Sequence, residues 1–315
     1  MSAAHWITQF LAVLLALAAA PLFLGWVNQC RAWLQNRSAP SLLQPYRGIR
    51  KLFYKEAVIA YGASPLFRMA PYVVFGAMAL AAAIIPTLGT RLPVTQAADA
   101  IALVGVLAMA RVFVALAAMD VGTAFGTLGA RREMMVGFLA EPALLMVVFV
   151  ASLISASSAL PAITEHLATQ ATTLMPSLAF IGVAFTLVLL AENARIPVDN
   201  PATHLELTMI HEALLLEYSA RHLALMEWAA ALKLFNYVCI GFALFVPWGV
   251  AVGTAPRALA VALPLLALKL AVAGAGLALI ETVSAKLRVL RAPEFLATAF
   301  LFAVLGLLVH LLLGA

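Results

Sequence analysis

Eight stretches of roughly twenty mostly apolar residues follow one another along this chain, and each is long enough to cross the hydrocarbon core of a bilayer. They lie at about 6–27, 70–89, 98–119, 134–157, 173–192, 229–250, 258–280 and 294–314. In oil every backbone N–H and C=O must be satisfied within its own segment, so a run of such stretches folds as helices. The composition agrees. Hydrophobic residues make up 65% of the chain and charged residues 10%, whereas soluble domains are nearer half apolar and a quarter charged. The fold class that follows is all-α: one polytopic helix bundle over residues 1–315, with polar loops at about 28–69, 120–133, 193–228 and 281–293.

The charges set an orientation. Arg31, Arg37, Arg47, Arg50, Lys51, Lys55 and Arg68 follow the first span, and Arg131 and Arg132 the third. Arg195 and Arg221 follow the fifth, and Lys286, Arg288 and Arg291 the seventh. The alternate gaps hold only Arg91 and Arg257. The positive-inside rule then assigns the odd-numbered gaps to the cytoplasm and both termini to the other side of a cytoplasmic (inner) membrane, and an even number of spans requires the termini to share a side. The net charge of +5 is therefore a topology signal, and nucleic acid is excluded as a partner.

Other classes are excluded by what is scarce. Cys30 and Cys239 are the only cysteines and lie far apart, too few for an iron–sulfur cluster and badly placed for structural zinc or a disulfide. Ala18-Ala19-Ala20 resembles a signal-peptidase site, but no Lys or Arg precedes Arg31, so Trp6–Val27 reads as a retained span. His211-Glu212-Ala213-Leu214-Leu215 begins like a zinc-protease helix and fails at Leu215, where the second histidine ligand belongs.

Ionisable groups at membrane depth cost at least ~2.5–3.5 kcal/mol each, which makes them functional candidates. Arg111, Glu141, Lys233 and Lys269 fall inside spans, and Glu192 at the end of one. Glu141 precedes Pro142, which removes a backbone donor and opens the helix to water. Either Glu141 is a relay carboxylate, or it only neutralises Arg111 or a lysine. Arg111 and Lys269 each call for an acid or a wet cavity. The segment 191–206 is punctuated by Pro197 and Pro201. Asp199 or Asn200 suits the cap of a helix beginning at Pro201, and Thr203 with Glu206 has capping-box spacing. The helix so begun reads on to Arg221. Glu206 and Glu217 then share a face, and His204 and His211 a neighbouring one, with Glu212 beside them and Glu227 where the sixth span begins. The plain alternative is a solvated helix with Glu217 and Arg221 paired. The basic loop after the first span suits anionic lipid, a cytoplasmic partner, or both.

Three blocks carry a family resemblance: Asn36-Arg37…Leu42-Leu43-Gln44-Pro45…Lys51-Leu52…Lys55-Glu56; Ala191-Glu192-Asn193…Arg195…Pro197…Asp199…Pro201…Glu206-Leu207; and Glu217-Tyr218-Ser219. In these blocks, in their order and in the eight-span layout, the chain resembles the membrane docking subunit of group 4 membrane-bound nickel–iron hydrogenases, homologous to respiratory complex I subunit 1. It is nearer the hydrogenase branch: His204 stands where complex I usually has a carboxylate, and the loop before Glu217 is about a helical turn longer. Gly129–Met134 also looks like the hydrogenase type.

The resemblance implies a non-catalytic subunit with no redox centre of its own. The nickel–iron site and iron–sulfur clusters would belong to partners: hydrogenase large and small subunits and iron–sulfur subunits, with an antiporter-like membrane subunit alongside. Glu141, Glu192, Glu206, Glu212, Glu217 and Glu227 would form a proton path, with Asp199, Lys233 and Lys269 beside it. Arg37, Gln44, Arg47, Arg50, Lys51, Lys55, Arg131, Arg132, Arg195, His204 and His211 would receive the cytoplasmic arm. Three alternatives stay open: a quinone-linked subunit of the complex I type, a stand-alone transporter and a purely structural anchor.

Overall fold

The computed structural model describes residues 3–169, 175–199, 209–253, 255–287 and 291–313. Seven of its helices are long and apolar enough to cross a membrane: α1 (Ala3–Leu34), α3 (Pro65–Ile84), α5 (Ala100–Asp120), α6 (Ala124–Ser155), α10 (Ala220–Phe245), α11 (Pro256–Val283) and α12 (Ala292–Leu313). An eighth, α8 (Pro176–Glu192), has 17 residues. At 1.5 Å per residue it spans ~25 Å, just short of the usual hydrocarbon thickness. These eight correspond to the eight predicted spans. No strand occurs among the described residues, only an isolated bridge between Gly89 and Ala251.

Several helices run beyond the apolar stretches that announced them. α1 continues to Leu34, α6 starts at Ala124 rather than near 134, and α10 starts at Ala220 rather than near 229. Hydropathy marks where a helix lies in oil, whereas hydrogen bonding continues into the polar layer until a capping residue ends it. For α6 that residue is Thr123, whose hydroxyl accepts from the Gly126 N–H. For α3 it is Ser64, accepting from Leu66 N–H ahead of a proline in the first turn.

α10 is the centre of the bundle, 67% buried over its apolar window, with α3, α1, α2 and α8 around it. α11 and α12 stand at the periphery, each 22% buried. α11 leans on α1, and α12 on α8 and α6. The first basic loop contains α2 (Gln44–Phe53), a short amphipathic helix laid across α10 and α1. Its approach is close because Gly25 has no side chain: a Cβ there would collide with the Leu42 carbonyl. The Tyr46 hydroxyl donates to the Ala18 carbonyl and fastens α2 to α1.

The helix expected to run from Pro201 to Arg221 is not continuous. Residues 200–208 lie outside the described residues, with the Asn200 cap, the Pro201 start, the Thr203–Glu206 capping box, and His204 and Glu206. Beyond them a single turn, α9 (His211–Leu215), is followed by a break over 216–219. Glu217 and Arg221 therefore do not face one another across a helical turn. Tertiary bonds from Tyr218 and Ser219 to the first loop replace helical ones there.

Candidate functional site

At the end of the bundle that carries the basic loops, a cavity of about 430 Å³ opens between α1, α2, the loop after α8, and α9 and α10. Its wall mixes Leu24, Ile49, Leu215 and Leu234 with Glu192, Arg195, His211, Glu212, Glu227 and Lys233. Gln44 and Arg31 also line it. A smaller void of about 40 Å³ lies deeper, between α3, α5, α6, α9 and α10. His211, Leu215, Ala230 and Lys233 line both spaces.

Behind Lys233 the charges are bonded one to the next. Lys233 Nζ lies 3.0 Å from Glu192 Oε2. Glu192 Oε1 accepts from Arg111 Nη2, and Arg111 Nη1 donates to Glu141 Oε1 at 3.0 Å. Arg111 Nε faces Glu133 Oε1 at 3.6 Å. Three carboxylates from α6 and α8 thus meet two cations from α5 and α10. The Glu192 side chain is 1% exposed, Arg111 5% and Glu141 35%.

The sequence of α6 explains how Arg111 reaches its partners. Glu133, Gly137 and Glu141 stand at i, i+4 and i+8 and therefore on one face. Gly137 is a notch between two acids, and a Cβ there would collide with the Arg111 guanidinium. Pro142 does not interrupt the helix. Glu141 borders an exposed apolar stripe of Met134, Phe138, Leu145 and Phe149 on the outside of the bundle. The cluster thus joins the chamber to a lateral face.

A second network frames the chamber mouth. Glu281, 3% exposed, accepts from Arg195 Nη1 at 3.0 Å and from Arg31 Nη1 at 3.4 Å. Burial pulls the Arg195 guanidinium below its ordinary value, and the Glu281 carboxylate opposes that shift. Asp199 Oδ2 accepts from the backbone N–H groups of Ile210 and His211, and Asp199 Oδ1 meets Lys286 Nζ at 3.4 Å. Asp199 thus supports the start of α9 from across the loop.

The candidate residues therefore separate. Glu141, Glu192 and Lys233 belong to the cluster, while Glu212, Glu227 and His211 belong to the chamber. Glu217 is half-buried beside Tyr218, outside the cluster. Lys269 is remote: its Nζ donates to the Val246 carbonyl at 2.6 Å and to that of Trp248, and it lies 5.8 Å from the centre of the Phe242 ring. Of the docking candidates, Arg37, Gln44, Arg47, Arg50, Lys51, Lys55 and Arg131 are exposed. Arg195 is buried, and Arg132 Nη1 donates to the Met209 carbonyl. Glu133 and Glu281 were not singled out from sequence. The spacing of Glu133 to Glu141 signals the first once α6 is extended. Nothing local signals Glu281, whose partners lie far away in sequence. Both cysteines are free and buried.

These features define the class of the chain as a polytopic membrane helix bundle with a polar chamber at one end and a buried acid–base cluster beside it. The family model described as NADH dehydrogenase matches residues 7–312, and the chain belongs to that family, whose type is complex I subunit 1. Formate hydrogenlyase subunit 4 of Escherichia coli (strain K12) is 33% identical over 297 residues, covering 93% of this chain and 94% of the relative. Hydrogenase-4 component C of the same organism is 35% identical over 230 residues, covering 73% and 71%. A chain in the structure of the membrane-bound sulfane sulfur reductase, an archaeal respiratory membrane complex, superposes with a TM-score of 0.81 at 19% identity, covering 96% of this chain and 98% of that one. That last likeness is one of fold.

Proposed function

We propose that this protein is the integral membrane subunit that anchors a cytoplasmic nickel–iron hydrogenase arm and couples its redox reaction to proton translocation. The observation that carries the reading is the unbroken line of ion pairs from Lys233 at the chamber through Glu192 and Arg111 to Glu141 at the lateral face. The names of the two relatives, formate hydrogenlyase subunit 4 and hydrogenase-4 component C, support that choice of redox partner. In this reading the chain lies in the cytoplasmic membrane with its basic loops inside and both termini outside. The arm contributes the large, small and iron–sulfur subunits with their metal centres, and an antiporter-like subunit receives the proton beside Glu141. Phospholipid covers the rest of the apolar surface.

The chemistry follows from the charge count. Three carboxylates against two cations leave one negative charge in excess, which a single proton neutralises. Arg111 does not release a proton. It holds Glu141 and Glu192 within reach of one another while Lys233 senses the chamber. Moving charge at the arm end of the chamber shifts Lys233 and weakens its hold on Glu192, which frees that carboxylate to take a proton from the chamber and pass it on along the cluster. The Glu141→Gln variant tests this in vesicles containing the whole complex. Hydrogen evolution is expected to persist while proton uptake falls at least tenfold, and unchanged proton uptake per hydrogen removes Glu141 from the path.

A second reading rests on the chamber itself. A cavity of about 430 Å³ with an apolar strip and polar ends suits the head of a quinone, as in a complex I-type subunit. Loss of activity with quinone-site inhibitors would favour it over the hydrogenase coupling.

A further inference from the structure

The first cytoplasmic loop carries an arrangement that the ion-pair pathway leaves unused. Between α2 and α3, Tyr54 is 86% exposed, Tyr61 is fully exposed and Val58 is 74% exposed. Single exposed apolar residues are ordinary, but three large ones within eight residues of one loop make a patch of the kind that marks an interaction site. The loop that displays them is pinned at its middle and at its C-terminal end. The Ser219 hydroxyl both accepts from the Val58 N–H at 2.9 Å and donates to the Val58 carbonyl at 2.6 Å. Asp120 Oδ2 accepts from the Ser64 N–H at 2.8 Å. Tyr218 donates its hydroxyl to the Phe67 carbonyl at 3.1 Å and stacks on the Phe67 ring with centroids 4.2 Å apart. Burial and the Asp120 charge raise the Tyr218 phenol above its ordinary value, so the hydroxyl keeps its proton.

The Tyr218-Ser219 pair is therefore a staple that ties the first loop to the start of the central helix. It also fixes where the loop sits. Its anchors are the N-terminus of α10, the most buried spanning helix, and the C-terminus of α5. The loop accordingly lies over the end of the bundle, above protein, and not on a lipid-facing flank. Exposed Arg50, Lys51, Lys55 and Arg68 lie in or beside this loop in sequence and Arg221 follows the Ser219 anchor, against Glu56 within the loop and Asp120 at its end.

We infer that Tyr54 and Tyr61 are the anchor side chains of a pre-ordered docking loop, and that its occupant is a water-soluble protein subunit whose surface offers apolar pockets with an acidic rim. The inference rests on the proposed attachment of a cytoplasmic arm, and it places the binding energy on two tyrosines, with the basic residues serving orientation. Rigid exposed aromatics lose little freedom on binding and dominate interface energetics, while rim charges mainly steer approach.

A photo-crosslinking phenylalanine analogue placed at position 54 or 61 in the intact complex, in native membranes, tests the claim. The expected adducts join this chain to an acidic stretch of a water-soluble subunit, identified by mass spectrometry of the purified complex. Adducts only to phospholipid, to another membrane-spanning subunit or to this chain itself overturn it. The Tyr54→Ala/Tyr61→Ala double variant is expected to lower retention of that subunit on salt-washed membranes about thirtyfold or more. Tyr61→Phe is expected to retain it. Equal retention in the double variant overturns the assignment of the binding energy, provided that the variant accumulates normally in the membrane. These outcomes do not depend on proton movement: Glu141→Gln, if the pathway reading is right, loses pumping and keeps the arm.

Discussion

Two cations at membrane depth in this protein, the buried Arg111 and the half-buried Lys269, are held in opposite ways. Arg111 is surrounded by Glu133, Glu141 and Glu192. Lys269 has no acid against it among the described residues and is held by the carbonyls of Val246 and Trp248, which follow the end of α10. The first arrangement is titratable, because a carboxylate can take a proton and change the charge of its neighbours. In the second the partners cannot take a proton, because a backbone carbonyl stays neutral at any physiological pH, and only the lysine itself could exchange one. An ammonium at the C-terminal end of a helix is also favoured by the helix dipole. The chemistry of the partner thus decides whether a charge at membrane depth can share a proton with its neighbours, and Lys269, held by carbonyls, stands apart from the proposed pathway.

The largest expected effect comes from breaking the titratable side. Arg111→Ala leaves three acids with Lys233 as their one cation among the described residues, and removing one partner of a buried ion pair costs roughly 3–5 kcal/mol. The expected result is a protein that fails to accumulate in the membrane, measured by quantitative immunoblot of washed membranes. Normal accumulation with normal proton uptake would show that the acids do not depend on Arg111. Gly137→Ala is the milder version. The added methyl pushes on the Arg111 guanidinium, and overpacking of this kind costs about 1–3 kcal/mol. The variant is expected to accumulate, to melt earlier in detergent and to lose proton uptake per hydrogen, whereas Gly276→Ala, with open space beside it, is expected to do neither.

The same contrast shows what the sequence made legible. Hydropathy found every span, because oil leaves the backbone no choice but helix. It misjudged where helices end: Glu133 looked like a loop residue until α6 was seen to begin at Ala124, and only then did the Glu133-Gly137-Glu141 face become visible. The loop before α10 was read as a continuous helix because its residues have reasonable helical propensity and spacing. Reciprocal bonding of Ser219 to Val58, far away in sequence, outweighs that propensity, and Ala220 takes a positive φ of 49° with no glycine to announce it. Partners of buried charges were illegible for the same reason. Arg111 and Glu192 are 81 residues apart, and Arg31 and Glu281 are 250 apart. Spacing along one helix is read from sequence, whereas contacts between helices are set by how the bundle packs.

The staple between the loops gives an intermediate test. Ser219→Ala removes both bonds to Val58, each worth about 1 kcal/mol, in a region half open to water. The expected outcome is faster amide exchange over residues 55–63 with little change in the melting of the bundle. Unchanged exchange would mean that the loop is held by other contacts.

Lys269→Met is expected to have the smallest effect and is the sharpest test of the comparison. Methionine has a similar length and no charge, so the variant removes the ammonium while filling its space. The carbonyls of Val246 and Trp248 lose a donor, at a cost of about 1–2 kcal/mol. Relief of the lysine's own desolvation offsets part of it. A slight fall in melting temperature is therefore expected, with proton uptake per hydrogen unchanged. If uptake instead collapses while the complex stays assembled, a charge held only by backbone dipoles does take part in transport. The separation drawn between the Arg111 cluster and the α10–α11 loop would then fail, because carbonyls cannot accept the proton and Lys269 itself would have to release it.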